Sequence, residues 1–125
     1  MTEIIFASSF DNKFQPQNVF ASNKEIWTTT GLYPQELIIQ YDVAKSISSA
    51  NISSYGIKKI YIESCENDSA VNFVKQSEMI DIPFTEGKVQ EFFLNFTSPA
   101  KIKVLKVRID EGYDDFSSIH NITFK

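Results

Sequence analysis

The sequence predicts an all-β protein, a sandwich or jelly roll of about eight short antiparallel strands. Two observations carry that expectation. Apolar residues recur at period two in run after run, and no stretch keeps a 3.6-residue period over three turns. Gly and Pro are scarce, at four each against eleven Phe, which favours ordered strands and economical turns over low-complexity sequence. No repeat of fixed period and no long linker divides the chain. A single domain over residues 1–125 is expected, large enough to bury a core without disulfides or metals.

The elements follow in order. Glu3–Ser9 reads as a first strand, with Ile4, Ile5 and Phe6 apolar. Ser8–Ser22 is polar and holds Pro16, which makes it a loop across one end, with Val19 and Phe20 as its plug into the core. The organising stretch is Ile26–Tyr41. Trp27, the only tryptophan, stands beside a turn and gains most by burial, so it is read as a structural anchor. Thr28–Thr30 suit a pleated surface, and Gly31 to Pro34 form a turn. In the run that follows, Leu37, Ile39 and Tyr41 share one face while Ile38 and Gln40 share the other.

Asp42–Ser49 is a polar connection. Ser49–Tyr55 and Ile57–Glu63 flank Gly56 as two strands, with Ile60 and Ile62 on one side and Lys59, Tyr61 and Glu63 on the other, the alternation of a half-buried antiparallel sheet. Val71–Val74 and Met79–Phe84 are short strands, the second ended near Pro83. A Glu86–Gly87 turn leads to Val89–Phe96, with Phe92, Leu94 and Phe96 on one face. Pro99 separates this strand from Lys101–Asp110. There the alternation slips from Ile102 and Val104 to Leu105, Val107 and Ile109, and a bulge near Val104–Leu105 would bring both sets to the core side. Asp110–Asp115 is an acidic loop. Ser118–Phe124 closes the chain with Ile122 and Phe124 inward.

Composition excludes several functions. No apolar run is long enough to span a membrane, and Met1–Phe6 has no basic n-region, so no secretory leader is expected. With Cys65 the only cysteine, no internal disulfide forms, and cytosol is the simpler compartment. The four Asn-x-Ser/Thr sequons at Asn51, Asn67, Asn95 and Asn121 then read as turns and strand edges. A net charge of −4 argues against phosphate-backbone binding. Lys101, Lys103, Lys106 and Arg108 form a basic stripe, read as the solvated face of a strand, with a docking surface as the other reading.

Catalytic constellations are weak. Ser117, His120 and Asp114 or Asp115 lie close in sequence, but proximity in sequence is not geometry and no nucleophile elbow surrounds them. Cys65 has no base partner nearby, and no Gly-rich phosphate cradle or Cys/His metal spacing occurs. A non-enzyme is expected.

Three stretches carry a family resemblance. Trp27–Ile39, reading Trp-Thr-Thr-Thr-Gly-Leu-Tyr-Pro-Gln-Glu-Leu-Ile-Ile, resembles the signature of the intraflagellar transport protein 25 family, the discoidin-like subunits of the ciliary transport train once misnamed small heat-shock-like proteins. Thr85–Gln90 and Asp115–His120 resemble the same family in the same order. The resemblance implies a discoidin-type, galactose-binding-domain-like jelly-roll β-sandwich. It implies a stable heterodimer with a Rab-like small GTPase of the intraflagellar transport B complex, contact with other train subunits, a place in cytoplasm and cilium or flagellum, and a part in export of membrane cargo. It also implies a Ca²⁺ site in the loop before Trp27. Asn18 matches the family Asn there, but the Asp-Gly is missing, with Ala21 or a neighbour in place of the Asp. Glu25 is the substitute donor, and added Lys24 weakens the site.

For the heterodimer, large residues left on outer faces or turns are the expected partner contacts, namely Tyr33, Tyr61, Phe73 and Phe93. The alternatives are a carbohydrate- or ligand-binding discoidin-like domain with Ca²⁺ support, for which Tyr33, Tyr55 and Tyr113 would serve as platforms, and an accessory domain of some other cytosolic assembly.

Overall fold

The computed structural model of the protein describes residues 2–9, 15–20, 26–29, 32–66 and 73–125. The strands are β1 (Thr2–Ala7), β2 (Trp27–Thr28), β3 (Gln35–Tyr55), β4 (Ile57–Cys65), β5 (Val74–Lys75), β6 (Ile80–Asp81), β7 (Gln90–Gly112) and β8 (Ser118–Phe124). A 3-10 helix, Pro16–Phe20, lies between β1 and β2. The strands form one sheet in the order β2-β8-β3-β7-β4-β5, with β1 on β3 and β6 on β4. Every pairing is antiparallel.

Two long strands make the sheet curl into a jelly roll. β3 has 21 residues and β7 has 23, and they pair along most of their length. The register breaks twice. Gln40 faces Val104 but Lys45 faces Ile102, so β3 gains residues; Ile47 faces Ala100 but Ser49 faces Asn95, so β7 gains them. Extra residues bend a strand and raise its twist. The expected connection at Asp42–Ser49 and the expected break at Pro99 are therefore the bent middles of continuous strands. Proline is tolerated because the β3–β7 register skips the residues between Asn95 and Ala100, so its missing N–H leaves no rung of that ladder empty.

The first half carries β1, β4, β5 and β6 around residues 35–40 and 104–109 of the two long strands. The second half carries β8 and β2 around residues 49–55 and 90–95. One apolar cluster draws on both: Leu37, Ile39, Ile60, Ile62, Leu105, Val107 and Ile109 from the first, Trp27, Ala50, Ile52, Leu94, Ile119 and Ile122 from the second. Trp27 is fully buried, and its Nε1 donates to the Ser9 carbonyl at 3.0 Å. A second buried anchor is Gln90. Its Nε2 donates to the carbonyls of Ile57 and Pro83, and its Oε1 accepts from Ile57 N and Ser54 Oγ.

Four local expectations are corrected. Val19 is the plug and Phe20 is 37% exposed. Side chains three apart eclipse in a 3-10 helix, so Pro16 and Val19 share the buried side and Phe20 turns away. No bulge separates Val104 from Leu105, which pair in unbroken register with Gln40 and Ile39 on β3 and with Cys65 and Ser64 on β4. Val104 is buried on the opposite face from Leu105, outside the main cluster. The two phases mark a strand covered on both sides at that point. Met79–Phe84 narrows to the two residues of β6, and of Val71–Val74 only Val74 falls in a described strand. Gly56, with φ of 80°, links β3 to β4 in a conformation that side chains rarely adopt.

Candidate functional site

Pairing across five strands fixes a row of side chains on the outside of the first half. Phe6, Ile38, Lys106, Glu63 and Lys75 stand in register on β1, β3, β7, β4 and β5. The next outward row holds Glu36, Arg108 and Tyr61. Residues between them, such as Leu37, Val107 and Ile62, point the other way and are buried.

Arg108 is the centre of this face. Its Nη1 donates to Glu36 Oε2 at 3.1 Å, its Nε lies 3.5 Å from Asp110 Oδ1, and its guanidinium lies 6.0 Å from the Tyr61 ring centroid. Lys106 Nζ sits 3.6 Å from the same Glu36 oxygen and 4.1 Å from the Phe73 ring. Lys75 Nζ stands 5.3 Å from the Tyr61 ring. Cations thus cover both aromatic faces, an attraction of about 0.5–2 kcal/mol each depending on desolvation.

These groups are more sheltered than ordinary surface ions, with side-chain exposures of 15% for Lys106, 23% for Glu36 and 29% for Arg108. Burial pulls the Arg108 pKa down, but the charges of Tyr61, Glu36 and Asp110 outweigh it and raise the pKa above its ordinary value. Burial raises the Tyr61 phenol against the opposing pull of Arg108. At neutral pH the face therefore presents a fixed guanidinium beside a neutral phenol.

The structure brings Tyr61 and Phe73 together on this face, bridged by Lys106, Arg108 and Lys75. Phe93, 56% exposed, lies elsewhere, on a cavity of about 300 Å³ with Ser77, Glu78 and Ile80. Tyr33 is half-buried against the core, and its ring lies so close to Gly112 that any Cβ there would overlap it. Residue types alone did not reveal Glu36, Ile38, Phe6 or Lys75. The readable signal was the basic stripe, and folding divides it. Lys106 and Arg108 join this face, while Lys103 reaches the Asp42 carbonyl at the β3 bend and Lys101 pairs beside it with Ser46.

The other candidates resolve differently. Ser117 bonds Thr29, the Asp114 carboxylate accepts from Asp115 N, and His120 Nε2 lies 3.3 Å from Ser118 Oγ, so no Ser–His–Asp relay forms. Burial lowers the His120 pKa, favouring the neutral ring. The Tyr55 hydroxyl takes the Gly87 N–H and the Tyr113 hydroxyl donates to the Ile82 carbonyl, so both hold the β6–β7 connection around Phe84. Asn18 Nδ2 donates to the Ile26 carbonyl at 2.8 Å, and Glu25 lies outside the described residues. No group of three or more His, Cys, Asp or Glu side chains that could hold a metal occurs among the described residues.

The comparisons with known proteins decide the family. Mouse intraflagellar transport protein 25 homolog is 33% identical over 123 residues, 98% of this chain and 85% of that protein. The chain belongs to the intraflagellar transport protein 25 family. Human intraflagellar transport protein 25 homolog is 32% identical over 98% of the chain, and intraflagellar transport protein 25 of Chlamydomonas reinhardtii is 24% identical over 96%. No family profile matches the chain. Among solved structures, a CBM32 module of Clostridium perfringens in complex with GalNAc-β-1,3-galactose superposes with a TM-score of 0.80 at 17% identity, covering 98% of this chain and 94% of that one. An F5/8 type C domain from Bacteroides fragilis gives 0.78 at 11% identity, covering 98% and 89%. At these identities the likeness establishes the discoidin-type, galactose-binding-like fold alone. Family membership itself ties an intraflagellar transport protein 25 relative to intraflagellar transport and the cilium. No helix among the described residues is long and apolar enough to cross a membrane.

Proposed function

We propose that this chain is a non-enzymatic subunit of the intraflagellar transport B complex, that it forms a heterodimer with a Rab-like small GTPase, and that the outer face of β1, β3, β7, β4 and β5 is the docking surface. The observation that carries the reading is the Tyr61–Arg108–Glu36 row beside Phe73 and Lys106. Aromatic and arginine side chains at the centre of a patch are the residues that anchor protein interfaces. Here they are braced before any partner arrives: Arg108 is fixed by two carboxylates, and Tyr61 is flanked by two cations. Preordering lowers the entropy lost on binding. Phe6, 48% exposed, and half-buried Ile38 extend the face with apolar area at one end.

In this reading the pair travels on the transport train and serves export of cargo. The test is co-expression with the Rab-like GTPase of the same organism, followed by size exclusion with light scattering. A one-to-one complex that survives high salt, and that Tyr61→Ala disrupts, supports the reading. A monomer that ignores the GTPase in both nucleotide states removes it.

A further inference from the structure

The bend that folds the sheet opens a groove at the end away from Tyr61. It has a volume of about 360 Å³ and is walled by Phe20, Tyr41, Ile47, Ile122 and Phe124, with Lys45 and Lys125 on its rim. Tyr41 and Phe124 meet edge to face at 6.5 Å, and Lys45 Nζ stands 5.2 Å from the Tyr41 ring. The floor is rigid, since Tyr41, Ile47 and Ile122 are buried in the core cluster.

Charge separates this groove from the rest of the surface. On the outer face of the first half Lys106 and Arg108 share Glu36, while Lys59 has Glu111 and Lys75 has Glu78. At the bend, no ion pair holds Lys45, Lys101 or Lys125 among the described residues. Lys101 is in register with Ser46, itself a groove residue, and Lys103 anchors to the Asp42 carbonyl nearby. Asp42 is the acidic residue of that β3 excursion. A chain of net charge −4 thus places Lys45 and Lys125 on one aromatic slot, with Lys101 in register with Ser46 of its lining.

We infer that this groove binds an acidic, extended segment of another protein that inserts one apolar side chain between Phe20, Tyr41 and Phe124 while its carboxylates meet Lys45, Lys101 and Lys125. The aromatic walls call for an apolar anchor, and the unpaired ammoniums call for carboxylates on both sides of it. The slot holds about one large side chain, narrower than the broad basic surface a membrane contact uses. The site lies around the bend from Arg108, so it does not depend on the GTPase face and leaves that face open for a second partner.

The probe is a fluorescent synthetic peptide in which Asp and Glu residues flank one Phe, titrated into the full chain by anisotropy and by amide chemical shifts. Binding is expected at low salt, with shifts confined to Tyr41, Lys45, Ile122 and Phe124, and weakening as salt rises. Replacing the peptide's Phe by Ala should weaken binding, and Lys45→Glu with Lys101→Glu should weaken it by about tenfold or more, the scale of losing a close charge pair. Both lysines are exposed, so the double variant keeps its fold, to be checked by its unchanged melting curve. GTPase co-purification should be unaffected by that variant. Absence of peptide binding at low salt, shifts that map to Arg108 instead, or phosphatidylserine vesicles binding where the peptide does not would each overturn the assignment.

Discussion

Glu36 and Arg108 face each other across β3 and β7, and their side chains close to 3.1 Å. Lys106, two residues along β7, shares the same carboxylate oxygen at 3.6 Å. Replacing Glu36 by Gln leaves two half-sheltered cations sharing a neutral amide. Stability should fall by about 1–2 kcal/mol, above the usual range for an exposed pair because these side chains are less than a third exposed. Urea denaturation of the variant measures this. A change within about 0.3 kcal/mol would show that the face is solvated and not braced.

Gln90 ties the start of β4 to the end of β3 and to the β6–β7 connection. Its amide satisfies the Ile57 N–H, the Ile57 and Pro83 carbonyls and the Ser54 hydroxyl from a site only 2% exposed. Gln90→Leu keeps the volume but orphans buried backbone groups, at about 1–3 kcal/mol for each group left unpaired. The expected loss of about 3 kcal/mol should appear as a lower denaturation midpoint with an unchanged slope.

Tyr33 and Gly112 make a second pair that only the fold brings together. A methyl at Gly112 would overlap the tyrosine ring, so Gly112→Ala should destabilise by more than about 1 kcal/mol. Tyr33→Ala clears that space, and the double variant should be less damaged than the two single losses added together. Tyr33→Phe should be neutral or stabilising, because the buried hydroxyl finds no partner among the described residues. Strict additivity in this thermal-melt cycle would refute the contact.

The alkaline limb of stability should report Tyr41. Burial pushes its phenol up to about 12, from an ordinary 10.0. The folded state favours the neutral phenol, so the contribution is whole below pH 10, falls between pH 10 and 12, and is gone above. Its size is about 2–3 kcal/mol for a shift of this extent. Tyr41→Phe should flatten that decline. In the wild type, absorbance at the tyrosinate band should show a late-ionising component that Tyr41→Phe reduces, Tyr61 being the other phenol that burial raises.

How far the sequence revealed this molecule depends on the range of the signal. Period-two alternation located β3, β4, the Val89–Phe96 half of β7 and β8, because each presents one face to the core. Polar residues at Asp42–Ser49 and the proline at Pro99 looked like loops, because a strand that bends through extra residues loses its alternation. Its continuity lies only in the partner strand. The same limit hid the docking face. Tyr61 and Phe73 could be named from size and phase, but Glu36 and Arg108 are 72 residues apart and meet through register alone. Val104 and Leu105 misled for a further reason: both are buried, one on each face, so hydrophobicity gave no direction.

The final prediction separates anchoring from packing on the outer face. If Tyr61 binds a partner, Tyr61→Ala should weaken the GTPase complex by about 2 kcal/mol or more, the scale of an interface anchor. The same change should destabilise the isolated chain by much less, since the ring is only part-buried and lies outside the core cluster. Phe93→Ala, on a different side of the molecule, is the control and should leave the complex intact. Isothermal titration beside thermal melts distinguishes the outcomes. Equal losses in binding and stability would make Tyr61 a packing residue, whereas a binding loss for Phe93→Ala alone would move the docking surface to the β5–β6 edge.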